Sequence, residues 1–226
     1  MSEEVDRRIR KIVFDFFLER TFAPSVDEIA ALSGVSRELA LESLRRLDAA
    51  HHLKLLDGTE RILMAFPFSA ISTPYRVTRP SGQRYFANCA WDAVAFHVML
   101  KEPVEISSFC VHCGDPIRFR VDSGHGVLSP RPLPSVFLAL PAAEWWNDIV
   151  RTCSNTMVFL ESRNHFDKWR GPEAGSSGAL LTIEQVVGIS RLLYETKLDL
   201  NYERPSKATL QNEFESLGLT GDFWRL

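Results

Sequence analysis

Two residues that could do chemistry together lie one helical turn apart in the segment Asn88-Cys89-Ala90-Trp91-Asp92. Cys89 falls where a predicted strand gives way to a predicted helix, beside free amides and the positive end of the helix dipole. These surroundings predict a lowered pKa for Cys89 and a thiolate that binds soft metals. Asp92 would share its helix face, where a carboxyl group can hold or deliver a proton. A buried structural cysteine with a helix-capping aspartate is the alternative.

Cys153 is the candidate partner of Cys89. It is predicted to lie between a helical stretch that starts at Trp145 and Trp146 and a β-prone run over residues 156–160. Two thiolates from distant segments can chelate one soft ion between them. The alternative is a buried core cysteine, which is common in proteins.

Cys110 and Cys113 form a single Cys-x-x-Cys pair. A structural zinc site needs four ligands, and no second Cys-x-x-Cys or histidine pair follows at a usable spacing. A complete zinc site would have to borrow Cys89, Cys153 or a histidine such as His125. The sequence therefore favours a tight turn with two reduced thiols over structural zinc.

The elements ahead of these residues predict three helices and then a hairpin. Apolar residues at helical spacing indicate a helix over residues 4–20, and a capping box at Ser25 and Glu28 opens a second helix. Ser36 caps a third helix, and residues 53–66 predict two strands around an Asp-Gly turn. This order is typical of a winged helix-turn-helix, so residues 1–66 are predicted to form a winged-helix-like domain.

A winged helix suggests DNA binding, which the charge of the third helix can test. Residues 37–48 carry three basic and three acidic side chains, namely Arg37, Arg45, Arg46, Glu38, Glu42 and Asp48. The whole chain has a formal net charge of −3. Because neutralising a DNA backbone needs a net basic face, the prediction is a packing or dimerisation domain without a nucleic-acid partner.

Residues 67–226 predict a second domain, a mixed and largely antiparallel sheet with helices, so the fold class is α+β. Strands are predicted at 75–77 and 83–86, a buried helix at 90–100, two strands around the Cys-x-x-Cys turn at 104–121, and a last clear helix at 182–197. Residues 124–136 and the Gly-rich segment 171–178 are predicted as loops.

The composition and motifs of the sequence limit the cellular compartment and the types of reaction that can be expected. No apolar run approaches the roughly 20 residues that cross a bilayer. The N-terminal residues MSEEVDRRIRK lack the apolar segment of a secretory signal. A cytoplasmic location without a membrane partner is therefore expected, and the thiols should stay reduced there. The chain has neither a phosphate-binding glycine motif nor a nucleophile elbow.

Several segments together resemble the alkylmercury lyase (organomercurial lyase) family. The winged-helix-like region precedes PFSAISTPYRV, and then come RYFANCAWDAVAFHVML, VEISSFCVHCGDPIRFRV and TCSNTMVFLESRNHFDKW. The resemblance covers roughly residues 5–197 and lies in the order of these elements and the placement of Cys and Asp. It implies that Cys89 and Asp92 match the first catalytic cysteine and the aspartate of the family, and that Cys153 matches the second cysteine.

The resemblance also implies a reaction, the protonolysis of a carbon–mercury bond. One thiolate would take the organomercury cation, the second would chelate mercury, and a proton delivered through Asp92 would release a hydrocarbon. No cofactor is implied, Hg(II) is the bound product, and it would pass to mercuric reductase or to cellular thiols. Two alternatives stay open: a lyase-like protein that binds a soft metal without this activity, and a winged-helix transcriptional regulator that senses a metal through its cysteines.

Overall fold

The computed structural model describes residues 2–122, 126–128, 133–171 and 178–226. Within these ranges the chain forms eight α-helices and eleven strands, and all the strands pair antiparallel in three sheets. The predicted α+β class with a largely antiparallel sheet is therefore confirmed.

Three helices and a small sheet form the N-terminal region, in the predicted order. The helices are α1 (Ser2–Arg20), α2 (Val26–Ser33) and α3 (Arg37–Ala49), and the sheet contains β1 (Lys54–Leu55), β2 (Ile62–Ala65) and β3 (Phe68–Ser69) in that order. The capping box is present: Glu28 N donates to Ser25 Oγ over 3.2 Å, and Ser25 N donates to the Glu28 carboxylate over 2.7 Å. A winged-helix relationship stays a prediction.

The rest of the chain contains two further sheets and five helices among the described residues. One sheet has the order β5-β4-β6-β7-β8 and comprises β4 (Arg76–Thr78), β5 (Arg84–Phe86), β6 (Val104–Phe109), β7 (Pro116–Asp122) and β8 (Gly126–Leu128). The other has the order β10-β9-β11 and comprises β9 (Ser135–Leu138), β10 (Met157–Leu160) and β11 (Ala179–Leu181). The helices are α4 (Ala90–Leu100), α5 (Ile149–Thr156), α6 (Arg163–Arg170), α7 (Ile183–Tyr194) and α8 (Lys207–Ser216).

Helix α4 is the central element of the fold. Every residue from Ala90 to Met99 is buried, as expected for a helix that is apolar on all sides. It packs against α7, where Trp91 Nε1 donates to Ser190 Oγ over 2.9 Å. The start of α4 is therefore held inside the molecule, and any chemistry at Cys89 takes place away from bulk water.

Phe68 connects the N-terminal region to α4. Its ring stacks on Phe17 of α1 at 5.0 Å between centroids and meets the edge of Phe96 of α4 at 4.9 Å. Because β3, which contains Phe68, pairs with β2, the first sheet extends past residue 66. The N-terminal helices and α4 are thus joined by one aromatic cluster.

Three predictions about secondary structure are wrong. Residues 124–136 are not all loop, because β8 pairs with β7 and β9 begins at Ser135. Trp145 and Trp146 do not start a helix: a short 3-10 turn precedes Trp145, and α5 begins only at Ile149, capped by Asp148. The helix at 182–197 is not the last one, because α8 follows it. Short strands and short helices such as these depend on contacts with the rest of the fold more than on the local pattern of residue types.

Two further points concern the chain as a whole. Most of the predicted loop at 171–178 lies outside the described residues. No helix in the part of the chain that the structure describes is both long and apolar enough to cross a membrane.

Candidate active site

The structure brings Cys89, Asp92 and Cys153 together. One ligand atom from each, a thiol sulfur or a carboxylate oxygen, lies within 4.8 Å of the other two. All three residues are buried, with exposed fractions of 1%, 3% and 4%. Two thiols and a carboxyl group at this separation can surround one metal ion.

Two helices position the three side chains. Cys89 is the N-cap of α4, and its sulfur accepts a hydrogen bond from Asp92 N over 3.3 Å. Cys153 lies inside α5, one turn before β10, and not in a connection between a helix and a strand as predicted. A third sulfur, Sδ of Met157, lies 3.8 Å from Cys89 Sγ. The cluster therefore forms where the starts of α4 and β10 meet.

The predicted low pKa of Cys89 is wrong. Burial raises the pKa of Cys89 well above its ordinary value, and the neighbouring Cys153 and Asp92 raise it further. The hydrogen bond from Asp92 N lowers it, but by less. For Cys153, the hydrogen bond with Cys89 lowers the pKa, but burial and the charge of Asp92 together outweigh it, so its pKa is also raised. Both thiols are therefore protonated at neutral pH before a metal binds.

Asp92 is a buried carboxyl group with an unusual set of partners. Tyr194 OH donates to Oδ1 over 2.6 Å, and Asn88 Nδ2 donates to Oδ2 over 3.0 Å. Burial raises the pKa of Asp92 to about 6, although these two hydrogen bonds lower it. A group with this pKa can both accept and release a proton near neutral pH.

Lys197 is the positive charge that faces this cluster from the segment after α7. It is only 5% exposed, and its Nζ lies 4.5 Å from the centroid of the Tyr202 ring. Burial, followed by repulsion from Arg204 and Arg10, lowers the pKa of Lys197 to about 7, while Asp92 raises it. Its charge in turn favours the ionised form of Asp92.

A cavity of about 450 Å³ opens onto the three residues. This volume lies within the range of small-molecule sites, which are mostly apolar with few polar groups. Its apolar lining includes Phe66, Trp145, Trp146, Met157 and Phe214, and His51 and Lys197 also contribute to the wall. The cavity can hold an apolar group directly beside the two thiols.

The sequence did not indicate Tyr194 and Lys197 as parts of this site. Both follow the predicted course of α7, but nothing in their local pattern distinguishes them from surface residues of a helix. Tyr194 lies 102 positions from Asp92 in the chain, so their contact depends entirely on the packing of α7 against α4. Asn88 adjoins Cys89, and its polar side chain at a buried strand end was the one local signal.

The second pair of cysteines does not join this cluster. Cys110 and Cys113 lie beside His165, so of the candidates expected to join this pair, the fold brings a histidine and neither Cys89 nor Cys153. His125, the other predicted candidate, lies outside the described residues. Among the described residues, four cysteines are free, and three of them are buried.

Two thiols, a carboxyl group of raised pKa and an apolar cavity in an α+β fold define a class of protein. This class binds thiophilic metal compounds and can move a proton at the bound metal. The comparisons with known proteins narrow the class further.

A family model described as alkylmercury lyase, MerB, matches residues 68–195. Two curated relatives named alkylmercury lyase, from Bacillus cereus and Clostridium butyricum, are each 25% identical over 169 residues, which is 75% of this chain and 73% of theirs. The crystal structure of the mercury-bound form of MerB2 superposes with a TM-score of 0.64 at 18% identity, covering 87% of this chain and 100% of that one. The chain belongs to the alkylmercury lyase family.

Proposed function

We propose that Cys89, Cys153 and Asp92 carry the activity of this enzyme, which is the cleavage of a carbon–mercury bond to a hydrocarbon and Hg(II). The observation that carries the assignment of these residues is the approach of their ligand atoms to within 4.8 Å at one wall of the cavity. Mercury is a soft metal that prefers thiolate ligands, and the reaction needs one acid beside them.

The reaction begins with the exchange of a thiol proton for the organomercury cation. Cys89 lies at the cavity wall, so its sulfur forms a bond to mercury while the ligand that came with the substrate leaves with the thiol proton. Cys153 then adds its own sulfur to the metal. Its proton passes to the Asp92 carboxylate, whose pKa of about 6 makes it a suitable acceptor at neutral pH.

The carbon–mercury bond breaks in the second stage. Two sulfur ligands donate electron density to mercury, which makes the attached carbon more basic. The carboxyl proton of Asp92 moves to this carbon, and the electron pair of the carbon–mercury bond becomes the new carbon–hydrogen bond. The products are a hydrocarbon and Hg(II) held by two thiolates, with the Asp92 carboxylate beside it. Two thiol protons are consumed, one by the departing ligand and one by the hydrocarbon.

The surroundings of the site support each step. Tyr194 and Asn88 hold the two oxygens of Asp92 in place, which fixes the direction of proton transfer. The apolar wall of the cavity, with Trp145 and Trp146, can receive the organic group of the substrate and exclude water. Hg(II) is substrate-derived cargo in this scheme, and no cofactor takes part in any step.

Hg(II) bound by two thiolates must leave by thiol exchange. We place this exchange with small cellular thiols or with the thiols of mercuric reductase. A reducing compartment such as the cytoplasm would keep Cys89 and Cys153 available as thiols.

The N-terminal region has a supporting role in this proposal. We propose a division of the chain at residue 66, with a winged-helix-like domain before it and the catalytic domain after it. Strand β3, just after this boundary, joins the two by pairing with β2. His51 and Phe66 line the cavity, so the N-terminal region completes its wall. A packing role of this kind needs no nucleic-acid partner.

Turnover of methylmercury tests the assignment of the two thiols. The protein is incubated with methylmercury and excess thiol, and methane and inorganic Hg(II) are measured together. Wild-type protein is expected to release both in equal amounts. Cys89→Ser and Cys153→Ser should each lose turnover, because a hydroxyl group is a poor ligand for a soft metal.

Ser154→Ala is the matched control, since Ser154 is exposed on the same helix as Cys153. This variant should keep wild-type turnover. Methane production by Cys89→Ser at the wild-type rate would overturn the assignment of Cys89, and the same result for Cys153→Ser would remove Cys153 from the site.

A further inference from the structure

A second cluster of metal-binding side chains lies outside the active site. Cys110 and Cys113 occupy the turn between β6 and β7, and His165 lies in the first turn of α6. The Nδ1 atom of His165 is 3.5 Å from Cys110 Sγ and 3.6 Å from Cys113 Sγ. The fold thus brings His165 to two cysteines that lie more than 50 positions earlier in the chain, and three ligand atoms come close together.

These separations are those of a tetrahedral zinc site. Zinc binds sulfur at about 2.3 Å and nitrogen at about 2.0–2.1 Å, which at the tetrahedral angle places S and N about 3.6 Å apart. Both observed sulfur–nitrogen distances match this value within 0.1 Å. The two sulfur–nitrogen distances are therefore compatible with a zinc ion bound between these side chains.

Glu161 lies beside this cluster and is the carboxylate that we assign as its fourth ligand. Its Oε2 lies 3.2 Å from His165 Nδ1, and a carboxylate oxygen of Glu161 lies within 4.8 Å of Cys113 Sγ. Oxygen and nitrogen ligands of a tetrahedral zinc ion would be about 3.4 Å apart. The sequence spoke against zinc because only two of the four ligands could be identified in it. The fold brings His165 to the pair, and Glu161, the residue after β10, lies next to His165.

We propose that Cys110, Cys113, His165 and Glu161 bind one Zn²⁺ ion in a structural site. Four protein ligands leave no open position for a substrate, which is the arrangement of structural zinc. A purely thiophilic ion would be served by the two sulfurs alone, whereas imidazole and carboxylate ligands in addition favour a borderline metal such as zinc.

The position of the site explains what the ion would do. Val111 N donates to Phe159 O over 3.1 Å, and Glu161 N donates to Cys110 Sγ over 3.4 Å, so the β6–β7 turn already lies against β10. An ion would tie this turn, the end of β10 and the start of α6 together. The catalytic thiols lie at the other end of β10, near Met157, which is about 13 Å away at the rise of an extended strand.

Zinc content and cobalt spectroscopy test this site independently of lyase activity. The full-length protein is purified without chelator, and its metals are measured by mass spectrometry. About one zinc per chain is expected in the wild-type protein and in Cys153→Ser, because the catalytic thiols are not ligands of this ion. Replacement of zinc by Co²⁺ should produce thiolate-to-cobalt charge transfer and the intense visible bands of a tetrahedral ion.

His165→Gln and Cys113→Ser should lose the zinc and the cobalt bands. The matched control is His112→Gln, because His112 is exposed in the same turn but is not part of the cluster. Circular dichroism shows whether each variant is folded, and the wild-type protein should unfold at a lower temperature after chelation, whereas His165→Gln should not respond to the chelator.

Three results would overturn the proposal. One is wild-type protein that neither contains zinc nor takes it up from added Zn²⁺. Another is a folded His165→Gln variant that keeps its zinc. The third is exclusive uptake of Hg(II) at Cys110 and Cys113 with no response to zinc, which would make the pair a mercury-binding site. None of these outcomes depends on whether methane is released.

Discussion

Asp92 combines two opposed influences in one side chain. Burial favours its neutral form, while hydrogen bonds from Tyr194 and Asn88 and the charge of Lys197 favour its ionised form. The result is a pKa of about 6, close enough to neutrality for a proton to arrive and leave in one catalytic cycle. In the proposed reaction its role is therefore separable from that of the two thiols, to which we assign the binding of the metal.

Asp92→Asn should separate metal binding from turnover. The two thiols remain, so the variant should still bind one Hg(II) per chain, as measured by titration and metal analysis. Methane release should fall by about 10²–10⁴-fold, because an amide cannot supply the proton. Asp57→Asn, at an exposed turn, is the control and should change neither quantity. Equal loss of binding and turnover in Asp92→Asn would contradict this division of roles.

The pH dependence of turnover should report the pKa of Asp92. Asp92 must begin as a carboxylate to accept a thiol proton, so kcat/KM should rise with pH through about 6. Tyr194→Phe removes a hydrogen bond that lowers this pKa, so the inflection should move upward. Hydrogen bonds to charged groups contribute about 1.5–3 kcal/mol, which corresponds to a shift of roughly 1–2 pH units.

Tyr85→Phe is the control for this shift. Tyr85 is another buried tyrosine, but its hydroxyl group donates to Leu18 O and not to Asp92. Its inflection should stay at the wild-type pH. An inflection that does not move in Tyr194→Phe would exclude Asp92 as the group that titrates in the acid limb.

At the scale of elements, α1 supports the active site from a distance. Arg10 of α1 is 1% exposed and reaches the segment that follows α7, where it donates to Lys197 O over 2.7 Å and also to Asp199 O. Its guanidinium group lies over the Tyr202 ring, 5.1 Å from the centroid. The backbone of the residue that faces Asp92 is therefore held by the N-terminal helix.

Arg10→Met should destabilise the protein and weaken its turnover. The change leaves the buried carbonyl group of Lys197 and the partly buried carbonyl group of Asp199 without this donor, and the loss of a donor to a buried group costs about 1–3 kcal/mol. A decrease of about 2–4 kcal/mol in the free energy of unfolding is expected in urea denaturation. Arg8→Met, on the exposed side of the same helix, should stay within about 0.5 kcal/mol of wild type. Equal stability of the two variants would contradict the bracing role of Arg10.

At the scale of the whole molecule, one wall of the cavity is built from residues near both ends of the chain. His51 stacks on Trp146 at 4.0 Å between centroids, and the Arg204 guanidinium group lies 4.2 Å from the centroid of the same indole. Arg204 also donates to His51 O over 3.0 Å. The connection after α3, the turn before α5 and the segment after α7 thus form one wall.

DNA binding should be absent, which tests the regulator alternative. The basic residues of α3 are largely committed to neighbouring acids: Arg46 pairs with Asp6 at 2.7 Å, and Arg37 pairs with Asp27 at 3.0 Å and with Glu60. Non-specific DNA binding depends on free cationic groups that release counterions from phosphates. A fluorescence anisotropy titration with duplex DNA from upstream of the gene should show no saturable binding at low salt. Saturable binding that weakens as salt is added would restore the regulator.

Much of the local structure followed from the sequence alone. Cys89 caps α4 and the chain turns before Pro103, so the bounds of the helix over 90–100 agree with the prediction. The capping box at Ser25 and the strands on either side of the Cys-x-x-Cys turn were also predicted. These features depend on neighbours within a few positions, which a pattern of residue types records directly.

Only the tertiary structure decided the protonation state of the cysteines and the residues that lie beside them. A helix N-terminus predicts a low pKa for Cys89, but complete burial reverses the direction, and burial depends on every element that packs around α4. The approach of Cys153 to Cys89, the contact of Tyr194 with Asp92 and the arrival of His165 at Cys110 each join segments more than 50 positions apart. The sequence by itself determined which residues could bind a soft metal. The fold determined which of them meet, because distance and desolvation are properties of the packed chain.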